Sequence, residues 1–110
     1  MKVHQKGNAT IIKDSNNDFE SFVTNLKNQY KTFESQNLII DISTYRGLNT
    51  KSINVFLNMA KNHKKAKKSF VVVLEDFDYN KVAASINIVP TVQEAHDMIE
   101  MENIERDLGF

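Results

Sequence analysis

The sequence predicts an α/β fold: a single compact domain whose mixed, mostly parallel sheet starts with an N-terminal β-hairpin and carries about four helices. Three observations predict it. Leu38-Ile39-Ile40-Asp41-Ile42 and Phe70-Val71-Val72-Val73-Leu74 are almost uninterrupted apolar runs of the kind found in strands covered on both faces. Apolar residues spaced by three and four lie between and around these runs, as amphipathic helices require. Ahead of both, two short β-prone runs flank Lys6-Gly7-Asn8, a turn signal. Strands that alternate with helices pair in parallel through right-handed crossovers, whereas the hairpin must add an antiparallel pair.

Length and composition bound the rest. With 110 residues the chain has room for one core and not for two, so residues 1–110 are read as one domain. An apolar fraction of 41% and a charged fraction of 25% are those of an ordinary globular protein. Fourteen basic residues balance fourteen acidic ones, so no net field draws the chain to nucleic acid or a membrane surface. The absence of cysteine removes disulfides, thiolate metal sites and a cysteine nucleophile. Met1-Lys2-Val3-His4-Gln5-Lys6-Gly7 has no apolar leader core, and no stretch approaches the roughly 20 apolar residues of a membrane span, so a cytoplasmic protein is expected.

The hairpin is expected from Val3-His4-Gln5 and Ala9-Thr10-Ile11-Ile12-Lys13. Ser15-Asn16-Asn17-Asp18 then offers short polar side chains that cap helix starts. Phe19, Phe22, Val23, Leu26, Tyr30 and Phe33 line one face of a first helix, with Glu20, Asn25, Lys27, Asn28 and Lys31 on the wet face. After the Leu38–Ile42 strand, Ile53, Phe56, Leu57 and Ala60 repeat at three and four, which predicts a second helix capped by Asn49 or Thr50 and reaching about Lys64. Lys61, Lys64, Lys65, Lys67 and Lys68 gather at its end, where cations complement the helix dipole, and they are read as a solvated face. Ser69–Leu74 is the strongest strand signal. Tyr79–Ser85 is expected as a short third helix, Ile86-Asn87-Ile88-Val89 as a strand ended by Pro90, and Thr91-Val92-Gln93-Glu94 as the capping box of a terminal helix with an acidic outer face.

One stretch stands out as a working surface. From Asn37 to Ser52 a buried strand reaches a loop that opens onto a helix, and such junctions display side chains at the rim of a sheet. Tyr45, Arg46, Asn49, Thr50, Lys51 and Ser52 are therefore the candidate contact residues for a protein partner.

The order hairpin, helix, Leu38-Ile39-Ile40-Asp41-Ile42-Ser43, junction, helix, valine strand and Ile86-Asn87-Ile88-Val89-Pro90-Thr91-Val92-Gln93-Glu94-Ala95 resembles the STAS domain family, the fold of bacterial anti-sigma factor antagonists. The resemblance spans nearly the whole chain. It implies a non-enzymatic regulatory module without cofactor or metal, whose partner is an anti-sigma factor or a kinase. In that family the second helix opens with an Asp-Ser-Ser-Gly type motif that carries a phosphoserine switch. Here Asn49-Thr50-Lys51-Ser52 stands in its place, with Lys51 at the phosphoserine position and Ser52 at the glycine position. Thr50 and Ser52 remain candidate phosphorylation sites flanking that position; the bland alternative is that they are cap residues.

Two further readings are weighed against this one. Asp41, Glu75, Asp76 and Asp78 sit where a parallel sheet presents its carboxyl edge, and oxygen ligands there can hold magnesium for chemistry on phosphate esters, although no phosphate loop accompanies them. His4, His63 and His96 share no metal-ligand spacing and are read as surface residues. Met98 and Met101 with Ile104 and Leu108 are read as core packing; the alternative is that the tail from Glu102 to Phe110, which ends in apolar residues that a lone domain need not bury, is a homodimer surface.

Overall fold

The computed structural model describes residues 1–14, 16–75, 77, 82 and 85–109. Five strands form one mixed sheet in the order β1-β2-β3-β4-β5: β1 (Lys2–Lys6), β2 (Ala9–Lys13), β3 (Leu38–Asp41), β4 (Phe70–Val73) and β5 (Asn87–Val89). β1 and β2 pair antiparallel, with Lys6 opposite Ala9, while β2, β3, β4 and β5 pair in parallel. Gly7, at the first of the two hairpin residues, has φ +59°, a conformation that glycine adopts without the penalty of a Cβ.

The helices are α1 (Phe19–Phe33), a single turn α2 (Thr50–Asn54), α3 (Leu57–Lys65) and α4 (Val92–Asp107). Strands β2 to β5 advance in one direction across the sheet, and right-handed crossovers then place their connecting helices on one face. On that face Phe22, Leu26, Ile53, Phe56 and Met59 pack against Ile12, Leu38, Ile40, Phe70 and Val72. The opposite face is left for α4, which follows the last strand and needs no crossover. Its Ala95 and Ile99 pack against Ile11, Ile39, Val71, Val73 and Val89. Successive residues of β3 and β4 thus enter different cores, which is why these runs do not alternate with polar residues. The radius of gyration, 13.1 Å, is the value of about 13 Å that one compact domain of this length should have.

One detail departs from the sequence expectation. The predicted second helix is broken at Val55 and Phe56, so a five-residue turn leads into a separate nine-residue helix. The short helix expected over Tyr79–Ser85 falls largely outside the described residues, although Phe77 and Val82 pack against the larger core. No helix among the described residues is long and apolar enough to cross a membrane.

Candidate functional site

The junction is built on β3. Asp41 ends that strand in a buried position, and its Oδ1 accepts from the backbone N–H of Ser43 at 3.0 Å and from the Ser43 hydroxyl at 2.6 Å. The chain then turns, with Tyr45 N–H donating to Ile42 O at 3.1 Å. Tyr45 is only 7% exposed. Its ring meets Phe19 edge-on at 5.3 Å, and its hydroxyl donates to Asp14, which also accepts from the N–H groups of Asn16 and Asp18. Burial pushes the Tyr45 phenol well above its ordinary value, and the hydrogen bond to the Asp14 carboxylate pushes it the same way. A neutral tyrosine therefore anchors the junction loop to the start of α1.

Beyond that anchor the chain surfaces. Arg46 and Gly47 are exposed, Gly47 with φ +71° and open space where a Cβ would stand. Leu48 turns back onto the core. Asn49 caps α2: its Oδ1 accepts from Ser52 N–H at 2.9 Å and from the Ser52 hydroxyl at 3.0 Å. Thr50 and Ser52 are half-buried, whereas Asn49 and Lys51 are exposed. A cavity of about 190 Å³ opens beside the loop, lined by Tyr45, Arg46, Gly47, Leu48, Leu74 and Glu75.

The six sequence-predicted residues therefore occupy one rim in two roles. Arg46 and Lys51 are presented outward, whereas Tyr45, the exposed Asn49 and the Ser52 hydroxyl are engaged in holding the loop, and Thr50 is half-buried at the start of α2. Leu48, Leu74 and Asp14, absent from the sequence prediction, complete the platform. Asp14 follows a strand and precedes a run of turn residues, and nothing in that context points to a tyrosine 31 positions away.

Of the alternative acidic set, Asp41 is occupied by Ser43 and Glu75 is exposed, while Asp76 and Asp78 lie outside the described residues. Among the described residues no group of three histidine or carboxylate side chains is placed to hold a metal ion. The histidines are not all at the surface. His63 is fully buried, with Nε2 donating to Gln36 O at 2.9 Å and Nδ1 meeting the Tyr30 hydroxyl. His96 is half-buried against the hairpin turn, its Nδ1 bound to Asn8 Oδ1 at 2.9 Å. In comparison with known proteins, no family model matches the chain and no curated protein matches it.

Proposed function

We propose that the chain is a non-enzymatic regulatory module that binds a protein partner through the rim formed by Arg46, Asn49 and Lys51, in the manner of anti-sigma factor antagonists. The observation that carries this reading is the construction of the rim. The exposed Arg46, Asn49 and Lys51 stand on a loop and helix start held by the Tyr45–Asp14 bond, the Phe19 contact and the cap that the Asn49 side chain itself makes. A pre-ordered surface loses little conformational entropy on binding. The order of strands and helices and the position of the rim at the end of β3 support the STAS-like comparison, which further suggests a bacterial cytoplasmic protein with an anti-sigma factor or kinase as partner.

Lys51 gives the rim a charge that does not depend on phosphorylation. With Arg46 beside it, the partner surface is expected to be acidic. The Ser52 hydroxyl already donates to Asn49, so the module works as a binder whose phospho-switch is altered or lost, with Thr50 as the more available of the two hydroxyls. A second copy of the chain is proposed to meet the exposed tail of α4.

Affinity capture from a bacterial lysate tests the rim. Wild type should retain a defined partner that Lys51→Glu loses, with both proteins showing the same circular dichroism. An identical set of captured proteins for the two baits would remove the junction as the binding surface.

A further inference from the structure

The larger charged cavity lies at the other end of the sheet, below the amino-terminal ends of β4 and β5, and has a volume of about 430 Å³. Small-molecule sites commonly span about 300–1,000 Å³, so its size suits a small ligand. Four cations line it: Lys64 from the last turn of α3, Lys67 and Lys68 from the link into β4, and Arg106 from α4. Glu102 and Glu105 line it as well, yet among the described residues no ion pair joins these carboxylates to the cations. Among the described residues, four positive charges against two negative ones leave an excess of two. The negative ends of α3 and α4, each worth about half a charge, reduce that excess without cancelling it.

Two features bear on how these cations come to line the cavity, one a side-chain contact and one a backbone conformation. Arg106 is held: one terminal nitrogen donates to the hydroxyl of Ser69, which is 2% exposed, at 3.1 Å, and to Asn103 Oδ1 at 2.5 Å. Lys67 has φ +59°, the left-handed conformation that closes a helix and that glycine adopts far more readily. Its N–H donates to Lys64 O at 3.1 Å, and the Lys68 N–H donates to His63 O at 2.9 Å, so the backbone there needs the turn and not the lysine side chain. A residue with a Cβ is strained at that position, and the side chain it carries adds a fourth cation to the cavity.

From this arrangement we infer that the cavity binds a phosphate monoester of a small hydroxyl-bearing molecule. The phosphoryl group lies among Lys64, Lys67, Lys68 and Arg106, and hydroxyl groups of the organic part donate to Glu102 and Glu105. The mixed lining points to a ligand with both an anionic group and hydroxyls: inorganic phosphate lacks the polyol part that the carboxylates would hold, and a free sugar lacks the charge that the cations favour. The site is remote from the Arg46–Lys51 rim and does not depend on that reading.

Calorimetric titration at low salt with ribose 5-phosphate, inorganic phosphate and ribose tests it. Ribose 5-phosphate should bind, inorganic phosphate about tenfold more weakly, and ribose without measurable heat. Lys67→Gly should raise the melting temperature while weakening ribose 5-phosphate about tenfold, which separates ligand contact from loss of fold. Lys2→Gln, a change of the same charge on the exposed face of β1, should leave binding intact. Silence of the wild type towards ribose 5-phosphate, unchanged affinity in Lys67→Gly, equal affinity for inorganic phosphate, or an equal loss in Lys2→Gln would each overturn the assignment.

Discussion

Removing the Tyr30 hydroxyl should cost this domain more than its half-buried position suggests, because the group satisfies a histidine that has no contact with solvent. The Nε2 of His63 donates to a carbonyl, Gln36 O, which leaves Nδ1 of the neutral ring as an acceptor for the Tyr30 O–H. Burial and, secondarily, the charge of Glu34 raise the Tyr30 phenol above its ordinary value, so it stays a proton donor across the neutral range. Tyr30→Phe keeps the ring that meets His63 edge-on at 5.3 Å and deletes only the donor. A buried acceptor left without a partner costs about 1–3 kcal/mol, and water reaching the half-buried Tyr30 side recovers part of it, which leaves about 1–2 kcal/mol. In a domain of this size that lowers the melting temperature by about 5–10 °C. Urea unfolding followed by circular dichroism reads the loss directly, and an unchanged midpoint in Tyr30→Phe would refute the reasoning.

The same histidine sets a pH dependence. Burial lowers the His63 pKa below its ordinary value of 6.5, opposed only in part by hydrogen bonds such as that to Gln36 O. As pH falls through about 6.5 the unfolded chain takes up the proton before the folded one does, so protonation favours unfolding. The contribution of His63 is fully present above that pH and declines below it. Unfolding free energies measured at about pH 7.5 and about pH 5 should therefore differ, and His63→Phe should flatten the difference. Equal slopes in wild type and His63→Phe would exclude His63 as the source.

The remaining predictions concern α4. Thr91 accepts from Glu94 N–H at 3.1 Å, so Thr91→Ala should destabilise the domain by about 1 kcal/mol in urea unfolding, whereas Thr91→Ser should cost little. Met101, Ile104 and Leu108, expected as core packing, are instead 62%, 53% and 66% exposed along one stripe, because only Met98 of that set reaches the core beneath α4. Met101→Asp should therefore leave monomer stability within about 0.5 kcal/mol. It should also abolish self-association through the tail, read as a mass in equilibrium sedimentation that rises with concentration in wild type alone; a wild type that stays monomeric removes that contact.

The two central strands and the helix starts were legible because their signals are local. Leu38–Asp41 and Phe70–Val73 are buried on both faces and read as continuous apolar runs. Asp18, Asn49 and Thr91 cap through their own side chains, within three residues of the groups they satisfy. The burial of His63 was written in the helical spacing but disguised by residue type: it follows Phe56 by seven and Ala60 by three, the next position on the same buried stripe. Periodicity could not show the break at Val55 and Phe56, because both sides of it keep their apolar face towards the sheet. At the candidate rim, the sequence offers six residues of the loop after β3 and the first turn of α2, but it does not separate outward from inward members. Tyr45 is held inward by Asp14 and Phe19, partners distant in sequence, and only the folded chain brings them together. The left-handed Lys67 gave no warning either, since a lysine-rich helix end usually marks solvent.

Asn37 ties the amino ends of three strands together. Its Nδ2 donates to Asn8 O at 3.1 Å, just before β2, and its Oδ1 accepts from Ser69 N–H at 2.9 Å, just before β4, while Asn37 itself leads into β3. A single side chain thus fixes the mutual offset of three parallel strands at one end, whereas at the other the Tyr45–Asp14 bond joins the loops after β2 and β3, two strands and not three. Loop grafting and peptide insertion should therefore succeed at Gly47, where the chain is exposed and its φ already suits a turn. The same insertion beside Asn8 or Ser69 would pull apart the strand alignment. The molecule has an end that sets its geometry and an end free to acquire new recognition.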